Sequence, residues 1–298
     1  MRAATATRRP VLGDNRALDA VIGHAMSVRN VRSGNAELAA EVHGTGVPVV
    51  FLHAGVADRR MWRAQIAALG AAGGYRGIAY DRRGFGESLH ADERYSHVAD
   101  LAAVLDATAA GAPAVLVGCS QGGRIAIDAA LAMPERVRAL VLVAPAISGA
   151  PEQATFPPAI EAWIDRMEKA EAKADVDRIN ALEAHAWLDG PLAPEGRVGG
   201  EVRSLFLEMN GIALRAEQRG TEATPAPAYD RVAGIAAPTL VVWGDLDFPH
   251  LGDRCEYLVA RMTAATSLLI RDAAHLPNLE YPDAFNRTLR AFLGRTAK

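Results

Sequence analysis

Ser120 stands at the middle of Gly118-Cys119-Ser120-Gln121-Gly122, directly after the β-branched run Val115-Leu116-Val117 and before the small-residue stretch Arg124 to Met133. A strand, a sharp turn and a helix with serine at the apex would lift the hydroxyl clear of a sheet edge and place it at a helix N-terminus. A serine hydroxyl is a weak nucleophile at neutral pH. It needs a base within hydrogen-bond reach, and that base needs a third group to fix its tautomer. The candidates for those partners are His275, which follows Ala273-Ala274, and the pair Asp245 and Asp247, which follows Gly244. Cys119 precedes the apex and reads as a small buried residue rather than a nucleophile. No His/Cys/Asp cluster has metal-ligand spacing, and no glycine-rich loop follows the first strand in dinucleotide style, so neither a metal nor a cofactor is expected.

Those residues need elements to carry them. Ser27 to Val31 and Ala36 to Val42 read as two strands joined at Arg32-Ser33-Gly34-Asn35. Pro48 to Leu52, Gly77 to Tyr80, Val115 to Cys119, Val137 to Val143, Pro238 to Trp243 and Ser267 to Ile270 read as further strands. Several are continuous apolar runs, as expected of strands buried on both faces. Helix-like stretches lie between them, at Met61 to Leu69, Tyr95 to Ala110, Arg124 to Met133, Arg254 to Met262 and Pro282 to Leu293. Alternation of this kind implies a mostly parallel sheet with helices on both faces, an α/β fold, with the opening hairpin as an antiparallel edge. In such sheets functional groups sit beyond the carboxyl ends of the strands. The ends of four strands carry His53-Ala54-Gly55-Val56, Ser120, Asp247 and His275.

Between about Ile147 and Tyr229 the alternation stops. Ile160, Trp163, Ile164 and Met167 fall on one helical face, and Ile179 to Trp187 and Val202 to Leu214 are two more helix candidates. No strand pattern is visible there, and Thr221 to Pro227 reads as a return linker. The expected organisation is an extension over 1–25, a core over 26–146 and 230–298, and an inserted helical cap over 147–229.

The motifs resemble the α/β-hydrolase superfamily across roughly Ser27 to Leu293. They are the His53-Ala54-Gly55 strand end, the turn Asp81-Arg82-Arg83-Gly84-Phe85-Gly86-Glu87-Ser88, Gly118-x-Ser120-x-Gly122, Gly244-x-x-Asp247-x-Pro249 and His275-x-Pro277-x-x-Glu280. The resemblance implies Ser120 as nucleophile, Asp247 as the acid and His275 as the base. It favours Asp247 over Asp245, which would then cap or solvate its loop. It also implies an oxyanion hole from the backbone N–H groups of Gln121 and Gly55. Ala54 departs from the usual glycine and leaves Val56 as an alternative donor. Haloalkane dehalogenases and epoxide hydrolases are similar but use aspartate where this chain has Ser120, so the serine implies acyl transfer through a covalent ester. His53 reads as a structural group beside the oxyanion loop, His250 as the start of a helix, and Asp81, Arg82 and Arg83 as a fold-stabilising turn. Trp163, Trp187, Phe206 and Met209 are either cap core or pocket lining, because a cap over a site must show it an apolar face.

With 298 residues, 50% hydrophobic and 22% charged, the chain suits one large domain or a core with an insertion. A net charge of -3 with no basic stripe argues against nucleic acid as partner, and no apolar run is long enough to span a bilayer. Two cysteines make no disulfide framework and suit a reducing, cytoplasmic location. Arg2, Arg8 and Arg9 could open a targeting peptide, but Asp14, Arg16 and Asp19 interrupt the apolar region such a signal needs. The expected activity is hydrolysis of a small or medium ester or lactone by a monomer or homodimer. Carbon–carbon bond hydrolases and haloperoxidase-like esterases share the motif set. A binding protein of this fold is the competing class, and here every catalytic position is occupied.

Overall fold

The computed structural model describes residues 27–296. The extension expected over 1–25 lies outside them. The described residues form ten strands: β1 (Ser27–Ser33), β2 (Ala36–Gly44), β3 (Val47–Leu52), β4 (Tyr75–Tyr80), β5 (Arg94–Tyr95), β6 (Ala114–Cys119), β7 (Val137–Val143), β8 (Thr221–Glu222), β9 (Thr239–Gly244) and β10 (Ala265–Ile270). Eight form one sheet in the order β1-β2-β4-β3-β6-β7-β9-β10. β1 pairs antiparallel with β2 and β2 antiparallel with β4, while every pairing from β4 to β10 is parallel.

The central strands explain themselves by their period of two. In β3, Val50 and Leu52 face one apolar cluster, and Val49 and Phe51 face the other. β6 divides likewise, with Leu116 on the first side and Val115, Val117 and Cys119 on the second. Helices α2 (His97–Thr108), α3 (Gln121–Ala132) and α7 (Pro249–Arg261) cover the first face through residues such as Leu101, Ile125 and Leu258. Helices α1 (Arg63–Ala72) and α9 (Pro282–Thr296) cover the second through Ile66, Leu69, Phe285 and Leu289. Parallel strands buried on both faces need no polar alternation, which is why they read as plain apolar runs.

Three helices fill the region between β7 and β9: α4 (Pro158–Glu171), α5 (Val176–Ala184), which runs into a π-helical turn at His185–Asp189, and α6 (Gly200–Arg215). One feature corrects the sequence reading of this region. Thr221–Glu222, expected in a structureless linker, pairs in parallel with Arg94–Tyr95 as a separate two-stranded ribbon. Tyr95, expected in a helix, belongs to that ribbon. Two residues are too few to show a strand period, and the pairing is made by backbone alone, Thr221 N to Glu93 O at 3.0 Å and Ala223 N to Tyr95 O at 2.7 Å. No helix among the described residues is long and apolar enough to cross a membrane.

Candidate active site

β6 ends at Cys119 and α3 begins at Gln121, so Ser120 alone makes the turn. Its φ of 53° and ψ of -115° are strained for a side-chain-bearing residue, at a cost of roughly 1–3 kcal/mol. The flanking glycines are steric necessities. A Cβ on Gly118 would strike the Gly122 carbonyl, and one on Gly122 would strike the Leu52 carbonyl. The backbone locks the turn, with Ser120 N donating to Val143 O at 2.8 Å and Ser120 O accepting from Arg124 N and Ala146 N at 3.0 Å each. Cys119 is buried, and burial pushes its thiol well above the usual range. Its Sγ lies 3.7 Å from the carbonyl of His275, which brings the His275 backbone against the residue beside the serine.

Asp247 follows β9, and His275 follows β10 just before the short helix α8 (Pro277–Glu280). His275 Nδ1 lies 2.7 Å from Asp247 Oδ2, with both side chains 2% exposed. A carboxylate only accepts, so Nδ1 is the donor in this contact. Asp247 is itself held, since Oδ1 accepts from Phe248 N at 2.7 Å. Asp245 is elsewhere. Its Oδ1 accepts from Asp272 N at 2.7 Å and fastens the loop that leads to His275. The remaining link of a relay would run from Ser120 Oγ to His275 Nε2. Such contacts commonly tighten only when substrate is bound.

The loop after β3 approaches the serine from the other side. A Cβ on Gly55 would come within 3.3 Å of Gln121 Oε1. The Ala54 carbonyl accepts from His53 Nδ1 at 2.8 Å, from Arg82 Nη2 at 3.0 Å and from Ala57 N at 3.3 Å. In a trans peptide the carbonyl and the following N–H point opposite ways, so fixing the Ala54 oxygen also fixes the Gly55 N–H. The N–H of Gln121 is one of the free donors at the start of α3. His53 is fully buried and accepts from Arg82 N at Nε2, 3.0 Å. Burial, then the charge of Arg82, holds its pKa well below the usual value, so it stays neutral. Arg82 is also fully buried, lies over the Phe85 ring at 4.4 Å, and leaves Nε and Nη1 unpaired. Burial lowers its pKa to about 10. Asp81 and Arg83 in the same turn pair with Arg59 and with Asp100 and Glu93.

Of the apolar residues singled out from the sequence, Trp187 reaches the site. Its ring is 4.7 Å from that of His275 and 4.8 Å from that of Phe248. Trp163 sits one layer out, against Phe248 at 5.9 Å, with Nε1 donating to Leu182 O at 3.0 Å. Phe206 and Met209 pack as core in this structure, the first of the two alternatives left open for them. Both are 0% exposed and lie in the same apolar cluster as Ala184, Leu188 and Leu276, so neither can wall an open pocket. Phe248 was missed, because its importance comes from Trp187 folding onto it across the sequence. Arg82 was read only as part of a stabilising turn, since nothing in its neighbours points to Ala54. A separate cavity of about 680 Å³ lies between the Gly84–His90 loop and α6, lined by Leu89, Leu207 and Ile212 with Glu208 and Arg215 at its edge, and does not include Ser120. Among the described residues no group of His, Cys, Asp and Glu is arranged to hold a metal ion.

Comparison with known proteins gives consistent relatives. The chain is 30% identical over 259 residues to 2-hydroxy-6-oxo-6-phenylhexa-2,4-dienoate hydrolase of Burkholderia cepacia, covering 84% of this chain and 88% of that one. It is 28% identical over 273 residues to pimeloyl-[acyl-carrier protein] methyl ester esterase of Aeromonas hydrophila, covering 85% and 98%. Among solved structures, Est816, an N-acyl homoserine lactone degrading enzyme, superposes with a TM-score of 0.69 at 27% identity, covering 89% of this chain and all of that one. Residues 49–288, which run from β3 into α9 and hold every group described above, match the alpha/beta hydrolase family, and the chain belongs to it.

Proposed function

We propose that this chain is a cofactor-free serine hydrolase that cleaves a small or medium, largely apolar carboxylic ester or lactone. The observation that carries the reading is the buried 2.7 Å contact of His275 Nδ1 with Asp247 Oδ2, which leaves Nε2 as the base. Ser120 Oγ attacks the substrate carbonyl and passes its proton to Nε2. Asp247 holds the tautomer and stabilises the imidazolium that forms. The N–H groups of Gly55 and Gln121 receive the negative oxygen, each such donor being worth about 3 kcal/mol. The leaving group takes the proton from His275, and an acyl ester remains on Ser120. Water, deprotonated by the same nitrogen, then releases the acid. In this reading the inserted helices over 147–229 cap the site. Trp187 and Phe248 favour an apolar group beside the base, as expected of a wall that excludes water.

A second reading, hydrolysis of a carbon–carbon bond in a dienone acid, is favoured by the 30% identity to the Burkholderia cepacia enzyme. The experiment is a panel of p-nitrophenyl esters, lactones and dienone acids run on wild type and Ser120→Ala. The ester reading expects a burst of p-nitrophenol from wild type and none from Ser120→Ala. Turnover of dienone acids alone would replace it with the second reading, and a burst that survives Ser120→Ala would end both.

A further inference from the structure

The loop that carries His275 is held from outside itself. Arg197, between the π-helical turn and α6, donates through Nε to Asp189 O at 2.7 Å and through Nη2 to Leu188 O at 2.9 Å. The same guanidinium donates through Nη1 to Asp272 O at 2.8 Å and through Nη2 to Glu280 Oε2 at 2.5 Å. Two of its contacts are therefore in the inserted helical region, one is on the loop that carries the base, and one is in α8 directly after that loop. Glu280 completes the connection. Its side chain is 3% exposed, and Oε1 accepts from Ala274 N, one residue before His275, at 2.7 Å. Trp187, in the turn that Arg197 grips, lies on the His275 ring at 4.7 Å.

We propose that Arg197 and Glu280 are positioning residues for His275, a latch that closes the inserted helices onto the base loop and sets the imidazole toward Ser120. The proposal rests on the reading of His275 as the base. Glu280 Oε1 fixes the peptide before His275, Oε2 fixes Arg197, and Arg197 fixes the turn that carries Trp187. A planar guanidinium with donors in a fixed fork can hold four acceptors at once, which an ammonium cannot. The charged groups that bear on Glu280 are Arg197 and, at longer range, Asp189, whose own carboxylate is taken by Arg203 at 2.9 Å. Burial raises the Glu280 pKa from 4.5 to about 7, against the opposing pull of Ala274 N and Arg197. Above that pH the carboxylate is charged and the latch is closed. Below it Glu280 takes a proton and Arg197 loses its counter-charge.

The test uses the full chain and p-nitrophenyl butyrate, with Glu280→Gln, Arg197→Gln, Arg197→Lys and, as a control in the same region, Arg166→Gln, whose partner Glu195 is exposed. At pH 8, Glu280→Gln and Arg197→Gln should lose ten- to a hundredfold in kcat with KM little changed, because small misplacement of a base has effects of that order. The double variant should lose no more than the worse single one, since the two act as a unit. Arg197→Lys should recover part of the loss, and Arg166→Gln should match wild type. Glu280→Gln should also lose one titrating step from the acid limb of kcat/KM. By NMR, the downfield Nδ1 proton of His275 should shift in both Gln variants. Wild-type kcat and pH profile in these variants overturn the latch. A loss of rate with an unmoved His275 proton and a lowered Tm also overturns it, because Glu280 is then ordinary structure. Ser120→Ala in the same assay keeps the outcomes separate: if it stays active, the base reading itself fails, whereas a dead Ser120→Ala beside an active Glu280→Gln removes only the latch.

Discussion

Ser120 and His275 are held in opposite ways. Ser120 is positioned by covalent geometry and close backbone contacts, some from its neighbours and some from the ends of β3 and β7, with glycine forced at 118 and 122 by the carbonyls of Gly122 and Leu52. His275 is positioned by side chains that arrive from afar: Asp247, Trp187, and Arg197 through Glu280. A backbone device tolerates little substitution but needs no side-chain partner. A distributed device tolerates more at each point, yet it lets the inserted region influence the chemistry.

The largest effect expected is at the one contact of the base that nothing else can replace. Asp247→Asn should lower kcat about 10⁴-fold with the fold intact, because the amide favours the wrong imidazole tautomer. Asp245→Asn, in kinetics run beside it, should stay close to wild type. A comparable loss in both would mean that holding the Asp272 loop matters as much as holding the ring.

Next comes the serine side. Gly122→Ala must displace the end of β3 or α3, and should destabilise the chain by about 4 kcal/mol or more, in the range of the most damaging single changes. Urea unfolding of this variant would expose the comparison as false if it cost no more than Trp187→Ala.

Arg82 sits between the two kinds of control, since a distant guanidinium fixes a local peptide. Arg82→Met should reduce kcat roughly tenfold, less than outright loss of an oxyanion donor. Its Tm should hold or rise, because a buried charge with unpaired nitrogens is replaced by an apolar chain. Parallel falls in Tm and kcat would show that Arg82 supports the fold rather than the Gly55 N–H.

The last effect is on stability alone and depends on pH. The folded-state pKa of Glu280, about 7, is above its ordinary 4.5, so the folded chain binds more protons than the unfolded one between those values. Stability should therefore fall as pH rises from about 4.5 to about 7 and level off above, by on the order of 1–3 kcal/mol from this group. Glu280→Gln removes that slope, so its stability relative to wild type should improve between pH 5 and pH 8. Parallel urea-unfolding curves for the two proteins would place the titration elsewhere.

The same division explains what could be read from the sequence. β6, its glycines and Ser120 are contiguous, and their steric demands are written in residue types at fixed spacing. That the central strands are covered on both faces follows from their continuous apolar runs, but the order in which they pair is not written in those runs. Trp187 was singled out for its apolar size, but its place on His275 depends on how the π-helical turn folds back. Phe206 and Met209 have the same composition signal as Trp187, yet packing took them into the core. Arg197 carries no signal at all, since an arginine between glycines and a helix looks like any solvated loop residue, and its acceptors are mostly backbone carbonyls.

The sheet order also has a consequence for how the protein is made. Cys119 and the His275 carbonyl that meets it are 156 residues apart in the chain. A ribosome finishes β1 to β7 and the whole inserted region before β9 exists. During that interval the β7 edge that β9 will cover is an open, apolar template for mispairing. The serine turn, complete by then, has neither Asp247 nor His275 beside it. On the proposed mechanism the nascent chain would be inactive, and turnover would begin only once β9 and β10 had added their loops to the far edge. Catalytic onset would serve as a clock for the last step of sheet assembly.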